Sequence, residues 1–337
     1  MVRIGIVGVG FMGMIHYLAA LRTPGAKVTA IAARDPKKRA GDWTGIKGNF
    51  GPPGERMDLT GVAAYATPEE LLADPNVDLV DVCLPSDQHA RVAELALAAG
   101  KAVLVEKPIA LTLAEADRML AAAARAPRLL MVAHVLPFFP DFRVAVEAVR
   151  GGRHGKLLAA SFRRHISPPN WSDAFADAAR TGGPAVDLHI HDTHFVAMLC
   201  GRPAAVQSIG RVRDGLVEYI ATNYVYPNGP AVSATSGACS HAGRPFTHGF
   251  ELQFEHATIV YEAGGPMAMF GPEGRTEIPL VGSDPVDAFA AELAAAVAGV
   301  AAGKAPPELD ARTARDALAL CLAEVESARS GRPVALD

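Results

Sequence analysis

Cysteine is scarce in this sequence, and its spacing excludes two common uses of thiols. Only four cysteines occur in 337 residues, and they stand far apart at Cys83, Cys200, Cys239 and Cys321. No C-x-x-C pair is present, so the sequence indicates neither a zinc knuckle nor a disulfide framework. We therefore expect four free, buried thiols that pack as small apolar side chains.

An excess of charge of one sign is also lacking. The 32 Lys and Arg residues nearly balance the 36 Asp and Glu residues, which leaves a formal charge of −4. This balance gives no electrostatic reason to expect nucleic acid or an anionic membrane as a partner. A small molecule is therefore the expected partner.

Segments that direct a chain into a membrane are not apparent. The start, MVRIGIVGVG, runs straight into a strand-like pattern and lacks the basic region, apolar core and cleavage site of a signal peptide. Charged residues, Gly or Pro interrupt the alanine-rich stretches before they reach the roughly 18 apolar residues of a membrane span. We expect a cytoplasmic protein.

The length and periodicity of the chain predict two domains, 1–135 and 136–337. Over residues 1–135, short β-branched runs alternate with alanine-rich helical runs, as in the doubly wound parallel sheet of a Rossmann domain. The expected strands are Arg3–Val7, Val28–Ala32, Val62–Tyr65, Leu79–Cys83, Ala102–Val105 and Leu129–Ala133.

Residues 136–337 follow a different rhythm. From Leu157 onward, alternating runs separated by turns predict an α/β domain with a large open, mostly antiparallel sheet. Helices should follow at Pro285–Ala302 and Ala311–Ala328, and we expect the last to pack back on the N-terminal domain. A broad open sheet normally needs covering, so this substrate-binding domain should also join copies of the chain into a homo-oligomer, a dimer or tetramer.

The segment Gly41–Gly61 interrupts the N-terminal pattern with glycines and prolines. It is too long for an ordinary connection within a compact domain. Either it is a flap over the cofactor or it is a solvated excursion, and the residues alone leave both open.

A glycine pattern after the first strand predicts a phosphate-binding turn. Gly8, Gly10 and Gly13 form G-x-G-x-x-G, which closes a strand and opens a helix within one βαβ unit. The first glycine permits the tight turn, the second admits a pyrophosphate, and the third lets helix and strand pack closely. Backbone N–H groups near Phe11 and Met12 would face the phosphates at the positive end of the helix. The alternative is a tight turn without a ligand.

The end of the second strand should contact the adenosine ribose of a dinucleotide. Ala33 stands where a carboxylate would bind both ribose hydroxyls, and Arg34 follows it. Because arginine can pair with a 2′-phosphate, the sequence favours NADP over NAD as cofactor. Asp35 keeps NAD open, since its carboxylate could turn toward the ribose.

Three further motifs carry a family resemblance. They are VCLPSDQH at 82–89, EKP at 106–108 and GGPAVDLHIHD at 182–192. Together with GVGFMG they resemble the glucose-fructose oxidoreductase, inositol dehydrogenase and MocA family over nearly the whole chain. The resemblance implies a NAD(P)-dependent enzyme that oxidises or reduces a secondary alcohol on a sugar, cyclitol or polyol.

The resemblance also implies which residues surround the cofactor. Those expected in the cofactor cleft are Leu84, Pro85, Ser86, His89, Glu106 and Lys107. Since Lys107 precedes a proline, its backbone should be extended and its ammonium directed into the cleft. From the residues alone, a lysine that only pairs with Glu106 or a phosphate stays open, whereas the resemblance implies catalysis.

Asp187, His191 and His194 are spaced by four and three residues. A helix opened by Gly182-Gly183-Pro184 would place them on one face, with a polar end in a cleft. The resemblance implies that Asp187 and His191 are catalytic: His191 or Lys107 takes the hydroxyl proton, and Asp187 orients the substrate or the base. His194 departs from the family, which commonly has an aspartate there.

The expected substrate contacts combine these residues with three aromatic ones. The family pattern supplies Lys107, Asp187 and His191, and His134 follows the sixth strand. On chemical grounds alone, His165 and Trp171 could stack on a sugar ring, although an ordinary surface loop is the alternative.

Three rival functions remain open on the sequence. Asp187, His189, His191 and His194 would suffice to hold zinc in a metal-dependent hydrolase or isomerase, although helical geometry puts His189 off the shared face, and we expect no metal. A tightly held cofactor could instead serve a redox-assisted lyase, hydrolase or epimerase. The third rival is a binding protein without chemistry.

Overall fold

The structure is a computed structural model and describes residues 1–126, 128–168, 177–282 and 284–336. The chain forms two compact units. The first comprises Met1–Phe138 with Ser283–Arg315, and the second comprises Phe139–Gly282 with Asp316–Asp337. All four cysteines are free, but Cys239 is exposed and Cys200 only partly buried, unlike the four buried thiols expected.

The first unit is built on a six-stranded parallel sheet, which confirms the predicted Rossmann architecture. Its strands are β1 (Val2–Val7), β2 (Ala26–Ala32), β3 (Ala63–Tyr65), β4 (Leu79–Val82), β5 (Ala102–Glu106) and β6 (Leu130–Ala133). They lie in the order β3-β2-β1-β4-β5-β6. The strand order reverses between β1 and β4, so the ends of these strands flank the switch point where such sheets bind ligands.

The helices of this unit begin at local capping signals. They are α1 (Phe11–Leu21), α2 (Pro36–Arg39), α3 (Pro68–Leu72), α4 (His89–Ala98), α5 (Leu113–Arg125) and α10 (Pro285–Ala302), numbered along the chain. Thr67 with Glu70 and Thr112 with Glu115 form complete capping boxes at α3 and α5. These side chains satisfy backbone N–H groups that the first helical turn leaves without partners.

Helix α10 is long and apolar enough, by length and composition, to cross a membrane, although the sequence was expected to contain no such stretch. It packs against α1 within the first unit and buries Phe289, Leu293 and Ala296. A core helix of a globular protein passes the same test, so this feature is weak evidence for a membrane span.

The segment Gly41–Gly61 is largely exposed, but two of its aromatic side chains pack on α1. Trp43 is 1 % exposed and meets the ring of Tyr17 edge-on, with ring centroids 5.0 Å apart. Phe50 contacts Phe11, the first residue of α1, with centroids 4.8 Å apart. The segment therefore contacts α1 at two places, its first residue and Tyr17.

The second unit is built on a nine-stranded sheet that is mostly antiparallel, as predicted. Its strands are β7 (Leu157–His165), β8 (Ala205–Arg213), β9 (Leu216–Val225), β10 (Ala231–Gly237), β11 (Thr247–Phe254), β12 (Thr258–Glu262), β13 (Met267–Gly271), β14 (Gly274–Ile278) and β15 (Val334–Ala335). Their order is β14-β13-β12-β11-β7-β10-β9-β8-β15, and the pair β7 and β10 is parallel.

Helices cover one face of this sheet. They are α6 (Pro140–Gly151), α7 (Ala178–Thr181), α8 (Pro184–Asp187), α9 (Ile190–Cys200) and α11 (Ala311–Ser330), the last belonging to this unit from Asp316 onward. Phe142 of α6 and Phe195 of α9 pack on Phe162 and Phe250 of the sheet, and all four rings are buried. Burying each ring stabilises the fold by about 1.5–3 kcal/mol, so these contacts stabilise the packing of α9 on the sheet.

Candidate active site

The glycine turn joins β1 to α1, as predicted, and backbone contacts exclude side chains from two of its positions. Gly8 has a φ of +100°, and a Cβ there would lie 2.7 Å from the carbonyl oxygen of Cys83. A Cβ on Gly13 would overlap the carbonyl oxygen of Gly8. Close packing of strand and helix therefore requires glycine at both positions.

Gly10, between them, is surrounded by open space. Nothing lies within 4 Å of a Cβ added there, and Gly10 caps α1 without a side-chain hydrogen bond. The first N–H groups of α1, near Phe11 and Met12, are therefore available to an anion at the positive end of the helix. The turn fits the pyrophosphate of a dinucleotide.

Basic residues lie beside this turn at the end of β2. Arg34 is exposed, and the carboxylate of Asp35 caps α2 by accepting a 2.9 Å hydrogen bond from the N–H of Lys37. Lys38 Nζ donates to the carbonyl oxygen of Val9, inside the glycine turn, at 2.7 Å. Sequence analysis missed Lys38, because no local pattern indicates that α2 lies beside the turn.

The segment after β4 is held in place by His89. This side chain is 1 % exposed, with Nδ1 2.8 Å from the carbonyl oxygen of Pro108 and Nε2 2.9 Å from that of Leu84. Leu84 and Pro85 are half-buried and Ser86 is buried. His89 therefore holds the ends of β4 and β5 together, and both of its ring nitrogens are engaged by backbone.

Glu106 and Lys107 stand at the end of β5. Glu106 is 6 % exposed, and its Oε2 accepts a 3.0 Å hydrogen bond from the backbone N–H of Lys107. Its Oε1 lies 3.0 Å from Nε2 of His16 in α1. Lys107 is half-buried, whereas His134, expected among the substrate contacts, is only 2 % exposed after β6. The backbone of Lys107 is thus anchored by the side chain that precedes it.

Asp187 and His191 lie in the second unit, at the end of α8 and in the first turn of α9, and both are half-buried. The predicted single helix is divided into α8 and α9 at Leu188 and His189, although both residues keep helical backbone angles. His189 is fully buried, with Nδ1 2.7 Å from Ser236 Oγ and Nε2 3.3 Å from a carboxylate oxygen of Glu324.

The four candidate metal ligands of this segment do not converge on one point. His189 faces Ser236, while His194 is 1 % exposed, and burial lowers its pKa to about 4. Within the described part of the chain, Asp187, His191 and His194 form no group whose ligand atoms are close enough to share an ion. The expectation that His194 belongs to the polar end of a helix in a cleft is therefore wrong, since this side chain is part of the core.

His165 ends β7 and stacks on Tyr219, with ring centroids 5.7 Å apart and planes 3° apart. One face of the imidazole is therefore covered by protein, and the residue is half-buried. Trp171, the other proposed stacking residue, lies outside the described residues.

Two family models match the chain. One, described as an oxidoreductase family with an NAD-binding Rossmann fold, matches residues 2–134. The other, described as the GFO/IDH/MocA C-terminal domain, matches residues 142–260. The chain therefore belongs to the Gfo/Idh/MocA family of oxidoreductases, as its motifs predicted.

Named relatives support this assignment. The trans-1,2-dihydrobenzene-1,2-diol dehydrogenase of Mus musculus is 31 % identical over 244 residues, which are 71 % of this chain and 69 % of the relative. The myo-inositol 2-dehydrogenase of Thermotoga maritima is 32 % identical over 204 residues, which are 59 % of this chain and 55 % of the relative. Levoglucosan dehydrogenase, solved in complex with NADH and levoglucosan, has a TM-score of 0.86 over 99 % of both chains at 21 % identity, which shows a shared fold.

Proposed function

We propose that this protein transfers a hydride between a secondary alcohol of a sugar, cyclitol or polyol and the nicotinamide of NAD(P). The observation that carries the proposal is the open glycine turn together with the anchored Glu106–Lys107 segment, at strand ends on one edge of the sheet. The names of relatives support the substrate class, since they include a diol dehydrogenase, an inositol dehydrogenase and a 1,5-anhydro-D-fructose reductase.

In this proposal the first unit binds the cofactor through backbone. The N–H groups near Phe11 and Met12 donate to its pyrophosphate, Leu84, Pro85 and Ser86 line the adenine and nicotinamide-ribose side of the cleft, and Lys107 lies beside the nicotinamide. When bound, the nicotinamide supplies the carbon that accepts or returns a hydride.

The polar side chains then accept and donate the proton of the substrate hydroxyl. As the hydride leaves the carbinol carbon, either Lys107 or His191 takes the hydroxyl proton, so that the alcohol becomes a ketone. Asp187 accepts a hydrogen bond from another hydroxyl of the substrate or orients the base. The reverse reaction returns the same proton to the carbonyl oxygen.

The test is a screen of sugars and polyols with saturating nucleotide, followed by nicotinamide absorbance and identification of the product. Formation of a ketone with one equivalent of reduced nucleotide supports the proposal. Conversion of a sugar with unchanged nucleotide would favour a redox-assisted lyase, hydrolase or epimerase instead. Ligand binding without conversion of any compound would favour a binding protein.

We further propose that NADP(H) is the preferred nucleotide. Arg34 and Lys38 supply two cations near the expected 2′-phosphate, and the carboxylate of Asp35 is already engaged in capping α2. The test is titration of nucleotide-free protein with NADPH and NADH, followed by quenching of tryptophan emission. A preference for NADPH that falls by about tenfold in Arg34→Ala supports this assignment. Equal or tighter binding of NADH would overturn it.

Finally, we propose a cytoplasmic homo-oligomer that forms through the open face of the nine-stranded sheet. A shallow depression on this face is lined by small and polar residues, among them Ser161, Asn223 and Ser233. Around a two-fold axis this surface would meet its own copy, so Ser233→Arg would bring like charges together. Light scattering should give the mass of a dimer or tetramer for the wild type and a lower mass for the variant, whereas a monomeric wild type would contradict the proposal.

A further inference from the structure

The first unit buries a group of ionisable side chains, of which the proposed function uses only Glu106, as the anchor of Lys107. This group, the His16 cluster, consists of His16 of α1, Asp81 of β4, Cys83 after β4, Glu106 of β5 and Glu292 of α10. Their exposed fractions range from 0 % for Asp81 to 8 % for Cys83. Burying ionisable groups is costly unless they are paired, so we expect the charged members of this group to be paired with one another.

His16 bridges two carboxylates. Its Nδ1 lies 2.8 Å from Asp81 Oδ2, and its Nε2 lies 3.0 Å from Glu106 Oε1. A neutral imidazole has a single N–H, so only an imidazolium can donate a hydrogen bond to each carboxylate. The geometry therefore favours a positive charge on His16 between two negative ones.

The surroundings of the ring favour the same charge state. Burial by itself lowers the pKa of His16, but the charge of Asp81 and the hydrogen bond to it act in the opposite direction, and the pKa is raised well above its usual value. Burial raises the pKa of the Glu292 carboxyl group and that of the Cys83 thiol, which favours the uncharged form of both. The ion bridge is formed by His16 with Asp81 and Glu106, the two carboxylates that lie within hydrogen-bonding distance of its ring nitrogens.

The bridge connects the two parts of the candidate cofactor site. His16 lies about one helical turn after Gly13, on the helix whose N-terminus forms the phosphate turn. At the other end, Glu106 uses its second oxygen to hold the backbone N–H of Lys107. A displacement of α1 would therefore be transmitted through His16 to the segment that carries Lys107.

We propose that His16, as an imidazolium, is a positioning residue that couples the phosphate-binding helix α1 to the Glu106–Lys107 segment. Its effect on turnover rests on the proposed function, but the charged bridge itself does not. Sequence signals for the bridge exist in retrospect: a histidine shortly after the third glycine, and an aspartate inside the apolar strand LVDV.

The bridge is tested by nitrogen NMR on nucleotide-free protein labelled with 15N-histidine, with His16 assigned through its backbone. At pH 7.5 a histidine with an ordinary pKa of about 6.5 is neutral. We expect both ring nitrogens of His16 to be protonated at this pH. A neutral His16 ring would overturn the proposal, whether or not any variant folds.

The coupling is tested with His16→Gln, which removes the charge but keeps a polar side chain. We expect kcat to fall by about tenfold or more, because small displacements of a catalytic group are costly. The dissociation constant of the nucleotide should change by less than about threefold. Active-site concentration from nucleotide titration corrects kcat for any loss of folded protein.

Glu292→Gln is the matched control, because it replaces a carboxyl group beside the bridge by an amide of the same shape and leaves the three bridging side chains in place. We expect its kcat to stay within about twofold of the wild-type value. Equal losses in both variants, or an unchanged kcat in His16→Gln, would overturn the coupling. If the wild-type protein oxidises no alcohol, the proposed function fails, and the NMR measurement still decides the bridge.

Discussion

The guanidinium of Arg164 binds both carboxylate oxygens of Asp192, at 2.9 and 3.0 Å, in the interior of the second unit. The two side chains are 5 % and 1 % exposed. Arg164 lies in β7, and Asp192 lies in α9 directly after His191. This ion pair therefore fastens the helix of a proposed catalytic base to the sheet.

Asp192→Asn should destabilise the protein strongly, because it leaves Arg164 buried with an unpaired charge. Breaking a buried ion pair costs about 3–5 kcal/mol of unfolding free energy. Urea unfolding of wild type and variant at pH 7 measures the loss. Asp117→Asn is the control, since the Arg315 and Asp117 side chains are 28 % and 54 % exposed and their pair should contribute less than about 1 kcal/mol. Similar losses in both variants would contradict the special role of the buried pair.

Gly10→Ala should weaken nucleotide binding without unfolding the protein. The φ of −101° suits alanine, and the added Cβ projects into the open space that the pyrophosphate would occupy. We expect the dissociation constant to rise by more than about tenfold, while the unfolding free energy changes by less than about 1 kcal/mol. Nucleotide titration and urea unfolding measure the two quantities.

Gly13→Ala is the matched variant for that prediction. Its Cβ would overlap the carbonyl oxygen of Gly8, so this variant should lose stability as well as binding. If both alanine variants bind nucleotide as the wild type does, the turn does not hold the phosphates.

Lys107→Met should abolish most turnover while sparing nucleotide affinity. Methionine has a side chain of similar length but lacks the amine that is proposed to exchange the hydroxyl proton. We expect kcat to fall by about 10²–10⁴-fold and the nucleotide dissociation constant to change by less than about twofold. Steady-state kinetics with the best alcohol of the screen gives the first value. An unchanged kcat would exclude Lys107 as the base and leave His191 in that role.

The stability of the protein should depend on His194 in acid. Burial lowers the pKa of His194 to about 4 in the folded state, whereas an unfolded histidine titrates near pH 6.5. The unfolded state therefore binds more protons between these values. Above about pH 6.5, His194 is neutral in both states and does not lower the free energy of unfolding. As the pH falls from 6.5 to 4, protonation of the unfolded state lowers this free energy by about 3 kcal/mol in total.

His194→Gln should remove this part of the pH dependence, because glutamine does not titrate. Urea unfolding at pH 7 and at pH 4.5 measures the effect as a difference between wild type and variant, so the contributions of other groups cancel. If wild type and variant lose the same unfolding free energy between pH 7 and pH 4.5, His194 does not cause this acid sensitivity.

Much of the fold could be predicted because its signals are local. The helix α10 has the predicted bounds, Pro285–Ala302, and β1 begins one residue before the prediction, at Val2. Hydrophobic periodicity and capping residues act within a few positions, so they can be recognised in the sequence. The glycine turn was predictable for the same reason, since strand, turn and helix are contiguous.

The sequence by itself thus determined the two types of sheet, the helix starts, the phosphate turn and, through its motifs, the family. Only the tertiary structure decided where the polar side chains point. His16 meets Asp81 and Glu106 from 65 and 90 positions away, and Lys38 reaches Val9 from 29 positions away. His189 turns into the core while His191 stays half-buried. Such contacts depend on which elements pack together, because a buried polar group takes whichever partner the fold brings within hydrogen-bonding distance.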